Sequence, residues 1–569
     1  MCLNGSWDFA FDDQDRGQRE HWQEGHVYEE KILVPFVYSC KRSGIGKREL
    51  HDVVWYERSF SLWEVEPNQC CILHFGAVDY GAQVWVNGTF LGEHQGGSAS
   101  FSFDITQAIR DGENRLTLRV WDESRNLELP RGKQFWKEQS EGIFYTGSTG
   151  IWQSVWLEIL PKCHIRQLYF TPDIDRKMIE VELLLSERTC ARAKIAISYE
   201  GISMVEDVVQ VSEGRAVRSF FLNQNVNLQW EHRSYEWTPE TPHLFDVEIV
   251  LEKEGQEADT VTSYFAMRKA HVENGRFLLN NRPCYQRLLL DQGYWPDSLL
   301  TAPEDEDFVK DITLCKEMGF NGVRKHQKAE DPRYLYWADK LGFLVWGEMS
   351  NAYVYSSEYV RRMVPEWMEL IKRDYNHPCI VAWVPLNESW GVDGIMYNVQ
   401  EQHHADSLYH LTKSLDQTRL VISNDGWNHT TSDLLTIHDY TVEGEALRKR
   451  YENRERLLGD MPTNRTLYAK GHEDQGQPVI VSEFGGISFQ VGEQAGWGYT
   501  EAKSGEEFLQ QYQEILCALI DSPLVQGFVY TQFCDVEQEI NGLVSADRVP
   551  KAPVEEIRRI TLGESHRQE

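Results

Sequence analysis

The sequence predicts a multidomain chain made of a β jelly-roll sandwich, an immunoglobulin-like β-sandwich and a C-terminal (β/α)8 TIM barrel. Three observations carry this prediction. The 569 residues are too many for one hydrophobic core. Short segments with apolar residues at every second position fill the first 270 residues. Beyond them, short apolar runs alternate with segments of helical period, which is typical of a parallel sheet covered by helices. We expect domains at 1–160, 161–270 and 271–569.

The first block is predicted to consist of many short antiparallel strands. In the segment 53–62 apolar and polar residues alternate, and the predicted apolar face consists of Val54, Tyr56, Phe60 and Leu62. Asn87-Gly88 lies between two further alternating runs, which is the strongest short-range signal for a β-hairpin. Many short strands joined by such turns favour a sandwich or jelly roll.

The second block carries the same alternation over a length of about a hundred residues, which suits a small immunoglobulin-like sandwich. Its clearest predicted strands are the segments MIEVELLL, AKIAISYE and LFDVEIVLE. Each of them has apolar side chains at alternate positions. The Cys-Trp-Cys pattern of antibody domains is absent from the sequence.

The third block contains eight candidate strands separated by helical segments. The strands are expected at 282–291, 320–325, 343–348, 380–387, 420–424, 434–439, 478–483 and 526–532. Apolar residues recur with helical spacing at 308–318, 357–375 and 508–519. Eight strands alternating with helices make a (β/α)8 barrel the simplest architecture.

The active site of such a barrel lies at the carboxyl ends of its strands. Reading those ends in order gives a polar set: Arg287, Asp291, Arg324, His326, Trp346, Glu348, Asn387, Glu388, Asn424, Asp425, His438, Asp439, Glu483 and Gln532. Two glutamates, Glu388 and Glu483, end the fourth and seventh strands on opposite sides of the predicted mouth. A lone strand-end glutamate is more often a salt-bridge partner, so the pair is the informative feature.

Two facing carboxyls are what the cleavage of a glycosidic bond requires. The leaving oxygen needs a proton, and the anomeric carbon needs a nucleophile or an activated water. Two like charges held close together keep one carboxyl protonated while the other stays ionised. The pair therefore predicts glycoside hydrolysis.

The composition disfavours several classes of partner. A formal net charge of −32 without a Lys/Arg-rich run disfavours nucleic acid and membrane surfaces. The first residues contain no basic segment followed by an apolar one, and no apolar run is long enough to span a bilayer. We therefore expect a cytoplasmic protein. The eleven cysteines form no CxxC pair, which favours reduced thiols, and no pattern indicates a cofactor.

Four segments resemble glycoside hydrolase family 2, which comprises β-galactosidases, β-glucuronidases and β-mannosidases. NHPCIVAWVPLNESWG (376–391) and PVIVSEFGG (478–486) resemble its two signature segments. FNGVRKHQKAEDPRYLYWADKLGFLVWGEM (320–349) resembles the segment from its second to its third barrel strand. ILHFGAVDYGAQVWVNGTFLGEHQGG (72–97) resembles its N-terminal sugar-binding domain. The family's order of jelly roll, immunoglobulin-like domain and barrel is the order that periodicity predicts.

The resemblance implies a retaining exo-glycosidase that hydrolyses terminal, β-linked sugar residues by double displacement. It makes Glu388 the acid/base and Glu483 the nucleophile. Asn387 would hydrogen-bond the sugar 2-hydroxyl, and Arg324 would help to hold the nucleophile ionised. The partner is then an oligosaccharide or another glycoside, and relatives in this family are often homo-oligomers.

A wider set of residues is expected to contact the sugar or the aglycone. Strand ends and the segments that follow them supply His326, Asp291, Trp295, Glu348, Trp390, Asn424, His438, Tyr440 and Gln532. Trp390 is expected to stack on a sugar ring, and Tyr440 to tune the nucleophile. For His438 a structural hydrogen-bonding role is the alternative.

A long loop of the first block is a further candidate. In the resembled family a first-domain loop reaches the barrel mouth, so the segment 131–153 would supply Arg131, Lys133 and Trp136. The alternative is a solvated loop whose aromatic residues pack against the barrel.

The sequence departs from the family at positions that select the sugar. Gln327 stands where β-galactosidases carry a histidine, and Gln532 where they carry a tryptophan. Their magnesium-site residues have no clear counterpart, so no metal is expected. The Asn-x-Lys carboxylate clamp of β-glucuronidases is not evident, although Arg548 and Lys551 lie in the same region. The sugar is therefore left unassigned.

Two other functions are compatible with this scaffold. A catalytically inactive carbohydrate-binding protein would keep the fold, but loss of turnover usually removes at least one carboxyl, and both are present. An inverting hydrolase would hold its carboxyls about 6.5–9.5 Å apart, whereas a retaining one holds them about 5–5.5 Å apart. The sequence does not distinguish these spacings.

Overall fold

The computed structural model of the chain describes residues 1–63, 65–222, 234–490 and 496–564. Its first eleven strands are β1 (Gly5–Phe11), β2 (Glu30–Val34), β3 (Val53–Leu62), β4 (Gln69–Phe75), β5 (Val78–Asp79), β6 (Gly81–Val86), β7 (Thr89–Gln95), β8 (Phe101–Asp104), β9 (Gly112–Trp121), β10 (Gly150–Ile151) and β11 (Val155–Pro161). A six-stranded sheet in the order β2-β1-β3-β9-β6-β7 packs on the three-stranded sheet β11-β4-β8. This is the predicted sandwich.

The predicted β-hairpin of the first sandwich is present. Strands β6 and β7 pair antiparallel around Asn87 and Gly88, whose φ angles are 52° and 81°. Positive φ at both central residues matches the right-handed twist of the flanking strands. On β3 the predicted apolar face is buried, and Trp55 is buried on the opposite face against Trp22 and Trp85.

The second sandwich is formed by seven strands. They are β12 (Ile165–Asp173), β13 (Met178–Leu185), β14 (Ala191–Tyr199), β15 (Ile202–Val211), β16 (Arg215–Phe221), β17 (Phe245–Lys253) and β18 (Gln256–Phe265). The sheets β12-β13-β16 and β15-β14-β17-β18 bury one common core, in which the alternate apolar residues of β13, β14 and β17 meet. The immunoglobulin-like sandwich predicted from alternation is confirmed.

Eight parallel strands form the barrel sheet. They are β22 (Gln286–Asp291), β23 (Gly322–Lys325), β24 (Leu344–Glu348), β25 (Ile380–Val384), β26 (Leu420–Val421), β27 (Leu435–His438), β28 (Val479–Gly485) and β31 (Val525–Thr531). Their order is β26-β25-β24-β23-β22-β31-β28-β27, and no ladder joins β26 to β27 among the described residues. The sheet is thus a curled (β/α)8 barrel that is open between its fifth and sixth strands.

Two smaller sheets accompany the barrel. One consists of β19 (Ala270–Glu273), β20 (Arg276–Leu279) and β21 (Arg282–Pro283), and the other of β29 (Ile487–Phe489) and β30 (Thr500–Ala502). The first barrel strand was expected from Arg282, but it begins at Gln286. The physical reason is that β21 pairs antiparallel with β20 and completes the smaller sheet instead.

Eight α-helices of the described residues accompany the barrel strands. They are α1 (Asp305–Glu317), α2 (Pro332–Leu341), α3 (Ser357–Asp374), α4 (Val399–Leu415), α5 (Gly444–Arg450), α6 (Arg454–Gly459), α7 (Gly505–Ile520) and α8 (Val554–Thr561). The predicted apolar faces of α1 and α7 are buried. On α3 the buried stripe includes Met363, Trp367 and Ile371, whereas Val360 and Val364 are only partly buried. Within the described chain, no helix has the length and apolar character that crossing a membrane requires.

The register between β22 and β23 decides which side chains point into the barrel. Leu290 pairs with Arg324, and Asp291 pairs with Lys325. Paired residues of neighbouring strands point to the same side of a sheet, and successive residues point to opposite sides. Because Arg324 points into the mouth, Lys325 and Asp291 point outward, toward the ring of Tyr334 on α2.

Candidate active site

Glu483 lies at the end of β28, with 5% of its side chain exposed. Nη1 of Arg324 donates a hydrogen bond to its Oε1 at 2.9 Å, and the Tyr440 hydroxyl donates one to its Oε2 at 2.6 Å. Burial and the negative charge of Glu483 raise the pKa of Tyr440 well above its usual range, so this hydroxyl keeps its proton. The two donors together fix the orientation of the Glu483 carboxylate.

Glu388 lies just beyond β25 on a left-handed turn. The φ angle is 52° at Glu388 and 62° at Ser389, which costs free energy for residues that carry a Cβ. Two hydrogen bonds hold the turn: Glu388 N donates to the Asp425 carbonyl at 2.9 Å, and Ser389 N donates to Oδ1 of Asn424 at 2.9 Å. The Glu388 side chain is 18% exposed and faces the mouth.

His438 at the end of β27 lies between the two glutamates. Its Nδ1 lies 2.7 Å from Oε1 of Glu388 and 3.5 Å from Oε2 of Glu483, and its Nε2 lies 3.1 Å from Oδ2 of Asp425. Burial alone would lower the pKa of His438, but Glu483 and Asp425 raise it to about 10. The side chain is therefore an imidazolium at neutral pH.

The environment of Glu388 favours its carboxylate form. Burial would raise its pKa, but the hydrogen bond from His438 and the charges of His438, Lys133 and Arg324 lower it below the usual range. The proton nearest to Glu388 in the free protein is thus the one on Nδ1 of His438.

Arg324 is fully buried and joins four groups of the site. Besides Glu483, its guanidinium contacts Asp425 at 2.7 Å, Oδ1 of Asn387 at 2.6 Å and Oε1 of Glu348. Three carboxylates around one guanidinium compensate its burial, and they raise the pKa of Arg324 further. Arg324 therefore acts as the central cation of the site.

His326 and Glu348 form the outer part of this cluster. Oε2 of Glu348 lies 3.1 Å from Nδ1 of His326 and accepts a hydrogen bond from Gln327 N at 2.9 Å. Burial and the charge of Arg324 lower the pKa of His326 well below its usual range, so this ring is neutral. Glu348 supports Arg324 and is 2% exposed, so it is a supporting residue and not a wall of the pocket.

The three residues Glu388, His438 and Glu483 also have the geometry of a possible cation site. One ligand atom from each lies within 4.8 Å of the others. A metal requires an unprotonated nitrogen from histidine, and both nitrogens of His438 face carboxylates. The arrangement thus suits a shared proton better than a metal ion.

Nδ2 of Asn387 and Oε1 of Gln532 are buried at strand ends, and neither has a hydrogen-bond partner among the described residues. The other amide atom of each is occupied, since Oδ1 of Asn387 accepts from Arg324 and Nε2 of Gln532 donates to Oδ1 of Asn541 at 2.7 Å. A donor and an acceptor left in this way are typical of sites that a polar ligand completes.

Glu539 is a residue of this site that the sequence analysis missed. Its Oε2 accepts from the Tyr145 hydroxyl at 2.5 Å, and its Oε1 from Nδ2 of Asn541 at 3.0 Å. Burial raises the pKa of Glu539, Lys133 opposes this, and Glu483 adds to it. It lies on the loop after β31, eight residues after Thr531, and only its position beyond a strand end could have indicated it.

The first-domain loop places Lys133 and Trp136 beside aromatic residues of the mouth. Nζ of Lys133 lies 5.0 Å above the ring of Trp390, and in the described part of the chain it has no hydrogen-bond or ion-pair partner. Trp136 packs edge-on against Tyr353 at 4.9 Å, and Tyr353 lies 5.2 Å from Trp390. Together with the Lys133 ammonium, Trp136, Tyr353 and Trp390 form an aromatic rim beside Glu388.

Arg131 is part of the loop but not of the pocket. Its guanidinium is bound by the backbone carbonyls of Glu123, Ser124 and Asn126. Asn424 is also a supporting residue, because its amide is used by Ser389 and by the Trp427 carbonyl at 2.7 Å.

Asp291 and Trp295 do not line the mouth, and this corrects the sequence-based expectation. Asp291 pairs with Lys325 at 2.6 Å on the outer side of the barrel sheet. Trp295 is buried between the cations of Lys328 and Arg548, at 5.2 and 5.0 Å from its ring.

Arg548 and Lys551, the two cations considered for a carboxylate clamp, form ion pairs away from the mouth. Arg548 pairs with Asp311 at 3.1 Å, and Lys551 pairs with Asp535 at 2.6 Å. Neither of them stands in for a carboxylate clamp at the mouth.

Three family models match the chain in sequence order. "Glycosyl hydrolases family 2, sugar binding domain" matches residues 1–161, "Glycosyl hydrolases family 2" matches 163–268, and "Glycosyl hydrolases family 2, TIM barrel domain" matches 270–563.

Curated relatives are more distant. A β-galactosidase of Thermoanaerobacter pseudethanolicus is 29% identical over 352 residues, which cover 59% of this chain and 45% of the relative. A putative β-glucuronidase of Formosa agariphila is 27% identical, with 59% of this chain and 40% of the relative covered. The chain thus spans less than half the length of these two relatives. A β-glucuronidase of Streptococcus agalactiae is 22% identical, with 98% and 95% covered.

Solved structures share the fold over the whole chain. A β-glucuronidase from an uncultured Clostridium sp. aligns with a TM-score of 0.78 at 21% identity, covering 99% of this chain and 97% of that chain. The β-glucuronidase of Bifidobacterium dentium, complexed with coumarin-3-O-glucuronide, aligns with a TM-score of 0.80 at 20% identity, covering 99% and 96%.

Proposed function

The chain belongs to family 2 of the glycosyl hydrolases, and from this premise we propose that it is a retaining exo-glycosidase acting on terminal β-linked sugars. Glu483 is its nucleophile and Glu388 its acid/base. The observation that carries the proposal is the pairing of the two carboxyls, since one oxygen of each lies within 4.8 Å of the other. Retaining enzymes hold their carboxyls about 5–5.5 Å apart and inverting ones about 6.5–9.5 Å, so the spacing favours retention.

The surroundings of each carboxyl suit its role. Glu483 is the deeper of the two and is held at both oxygens by Arg324 and Tyr440, as a nucleophile that must attack from one direction requires. Glu388 is more exposed, on the side from which a leaving group departs. In the first step Glu483 attacks the anomeric carbon while the leaving oxygen is protonated through Glu388. In the second step Glu388 deprotonates the water that releases the sugar.

The inactive carbohydrate-binding alternative is less well supported. Both carboxyls are present, and so are the donors that orient them. The exo preference rests on the family resemblance and on the first-domain rim of Lys133 and Trp136, which stands beside the mouth.

The sugar is proposed from the relatives together with the pocket. Both β-galactosidases and β-glucuronidases are among the relatives, so a galactoside and a glucuronide are the two substrates to test first. A glucuronide needs a cation for its carboxylate, and Lys133 is the candidate because its ammonium has no partner in the described residues. The buried carboxyl of Glu539 favours a neutral sugar that offers hydroxyl donors.

We also keep the domain boundaries 1–160, 161–270 and 271–569 as a proposal. In their support, none of the described strands includes residues 162–164 or 266–269.

The test is hydrolysis of p-nitrophenyl glycosides, from galactoside to glucuronide and arabinoside, with the anomer of the first product followed by NMR. We expect a β-glycoside to be cleaved with retention, and Glu483→Gln and Glu388→Gln each to lose most activity. Glu455→Gln, which changes an exposed glutamate of α6, is the matched control. Near-full turnover by Glu483→Gln, or an inverted product, would contradict the proposal.

A further inference from the structure

His438 holds more protons than a neutral histidine could. Its Nδ1 lies 2.7 Å from Oε1 of Glu388, and its Nε2 lies 3.1 Å from Oδ2 of Asp425. A neutral imidazole has one N–H, and a carboxylate only accepts hydrogen bonds. Both contacts can form together only if the chain Glu388–His438–Asp425 holds one additional proton.

Asp425 does not hold this proton. Its Oδ2 also contacts Nη1 of Arg324 at 2.7 Å, and its Oδ1 accepts from the Ser482 hydroxyl at 2.8 Å. Burial opposes the charge on Asp425, but Arg324 and His438 outweigh it and lower the pKa of this carboxyl. The additional proton therefore lies between Nδ1 of His438 and Glu388.

We propose that His438 is a positioning residue that stores the proton of the acid/base, passing it to Glu388 when the leaving group departs and recovering it when water attacks. This inference rests on the proposed roles of Glu388 and Glu483. It also accounts for Asp425, which holds the far nitrogen of the ring and so keeps Nδ1 directed at Glu388.

The protons balance in both steps. In the first, the Nδ1 proton of His438 moves to Glu388, and the resulting carboxyl protonates the leaving oxygen as the C1–O bond breaks and Glu483 bonds to C1. His438 is then neutral and Glu388 is a carboxylate. In the second, the attacking water gives its proton to Glu388 and on to Nδ1, while the bond between C1 and Glu483 breaks.

The position of Glu483 couples proton storage to the chemistry. Its Oε2 lies 3.5 Å from Nδ1 of His438. In the free protein the negative charge of Glu483 stabilises the imidazolium, whereas the glycosyl ester of the intermediate carries no charge. Formation of the glycosyl-enzyme intermediate therefore lowers the proton affinity of His438. This happens in the step in which His438 must give up its proton.

The other groups around His438 are consistent with an imidazolium in the free protein. The charged and titratable groups that face it are Glu388, Asp425, Glu483, Arg324, His326 and His429. Burial lowers the pKa of both His326 and His429, so these two rings carry no charge at neutral pH. The three carboxylates thus outnumber the single guanidinium.

The test is His438→Gln, assayed as kcat/KM on a series of aryl glycosides of one sugar, from 2,4-dinitrophenyl to phenyl. Departure of dinitrophenolate needs no proton, whereas departure of phenolate does. General acid catalysis contributes about 10²–10⁴-fold, so we expect the loss on the phenyl glycoside to exceed the loss on the dinitrophenyl glycoside by about a hundredfold. The alkaline limb of the pH profile should also move to lower pH, because Glu388 alone holds a proton less strongly than the pair.

A matched control is His429→Gln, a buried histidine that bonds to the Thr436 carbonyl and does not touch Glu388. It should affect all leaving groups equally. A uniform loss across the series with an unmoved alkaline limb in His438→Gln would overturn the proposal. If Glu388→Gln and Glu483→Gln retain activity, the proposed function itself has failed. If they lose it and His438→Gln behaves like the control, only the proton store has failed.

A measurement on the unmutated protein avoids dependence on how the variants fold. In ¹⁵N-histidine NMR, both ring nitrogens of His438 should be protonated at pH 7 in the free protein. After Glu483 is trapped with a 2-fluoro glycoside, His438 should titrate at lower pH. A neutral His438 in the free protein, or an unchanged titration in the trapped protein, would contradict the proposal.

Discussion

Nη2 of Arg324 donates a hydrogen bond to Oδ1 of Asn387 at 2.6 Å, and Nδ2 of the same amide has no hydrogen-bond partner among the described residues. The contact fixes the flip state of the amide, because a guanidinium only donates. Asn387 thus presents a buried donor one residue before Glu388. A donor in this position is suited to a sugar hydroxyl next to the anomeric carbon.

Asn387→Ala should therefore lower kcat/KM by about 10²–10³-fold, the loss typical of removing one donor that acts in the transition state. The physical reason is that the 2-hydroxyl contact strengthens as charge develops on the sugar. The check is to measure kcat/KM of the variant and the parent on a 2-deoxy glycoside as well, where the two proteins should differ much less. An equal loss on both substrates would show that Asn387 acts by holding Arg324 instead.

Tyr440→Phe should reduce kcat by about tenfold to a hundredfold, since a hydrogen bond to a charged group is worth about 1.5–3 kcal/mol. The variant removes the 2.6 Å contact with Oε2 of Glu483. The ring should stay in position, because it is stacked on Tyr499 at 3.6 Å between centroids. Steady-state kinetics together with the thermal midpoint provide the measurement. A large fall in the midpoint would mean that the hydroxyl acts mainly on stability.

The positions of the residues around the two glutamates were predictable, because the carboxyl ends of the strands of a parallel barrel meet at one face. Arg324, Glu388, His438, Tyr440 and Glu483 all come together on that basis. Counting strands could not show on which side of the sheet a given side chain lies. In β22 the residues 288–290 are all apolar and buried, so no alternation marks which of them points inward. Asp291 was assigned to the mouth for this reason, although it pairs with Lys325 outside.

Other parts of the site depend on contacts between distant segments. Glu539 becomes part of it through Tyr145, 394 positions away in the chain, and no local pattern predicts such a pair. The protonation of His438 depends on distances to three carboxylates that come from three different strand ends. Sequence spacing indicates which side chains share a mouth, but not which of them touch.

Lys133→Met should distinguish the two candidate sugars. If the substrate is a glucuronide, loss of the Lys133 ammonium should raise KM for the glucuronide by about tenfold or more, the effect of one charged hydrogen bond. The galactoside should be affected little, because Met keeps an unbranched apolar side chain beside the ring over which Nζ of Lys133 lies. Lys137→Met, on the same loop and over the ring of Phe135, is the control. An equal change in KM for both sugars would show that Lys133 does not bind the carboxylate of a glucuronide.

Glu366 on α3 lies at the contact between the first domain and the barrel. Its Oε1 accepts a hydrogen bond from Ser98 N at 2.8 Å, and its Oε2 has no hydrogen-bond partner in the part of the chain that the structure describes. Burial raises the pKa of Glu366 from 4.5 to about 8, and nearby Asp79 adds to the shift. A carboxyl whose pKa is higher in the folded state stabilises the fold fully below its unfolded value, and this contribution is lost as pH rises through the folded value.

Glu366→Gln should therefore stabilise the protein at pH 9 by on the order of 1–3 kcal/mol relative to the parent, and much less at pH 5. The amide oxygen can still accept from Ser98, and the amide carries no charge at any pH. Thermal midpoints from pH 5 to pH 9 check this, with Glu455→Gln, which changes an exposed glutamate of α6, as the control. If the parent and Glu366→Gln lose stability in parallel as pH rises, the titrating group at this contact is not Glu366, and Asp79 becomes the residue to replace.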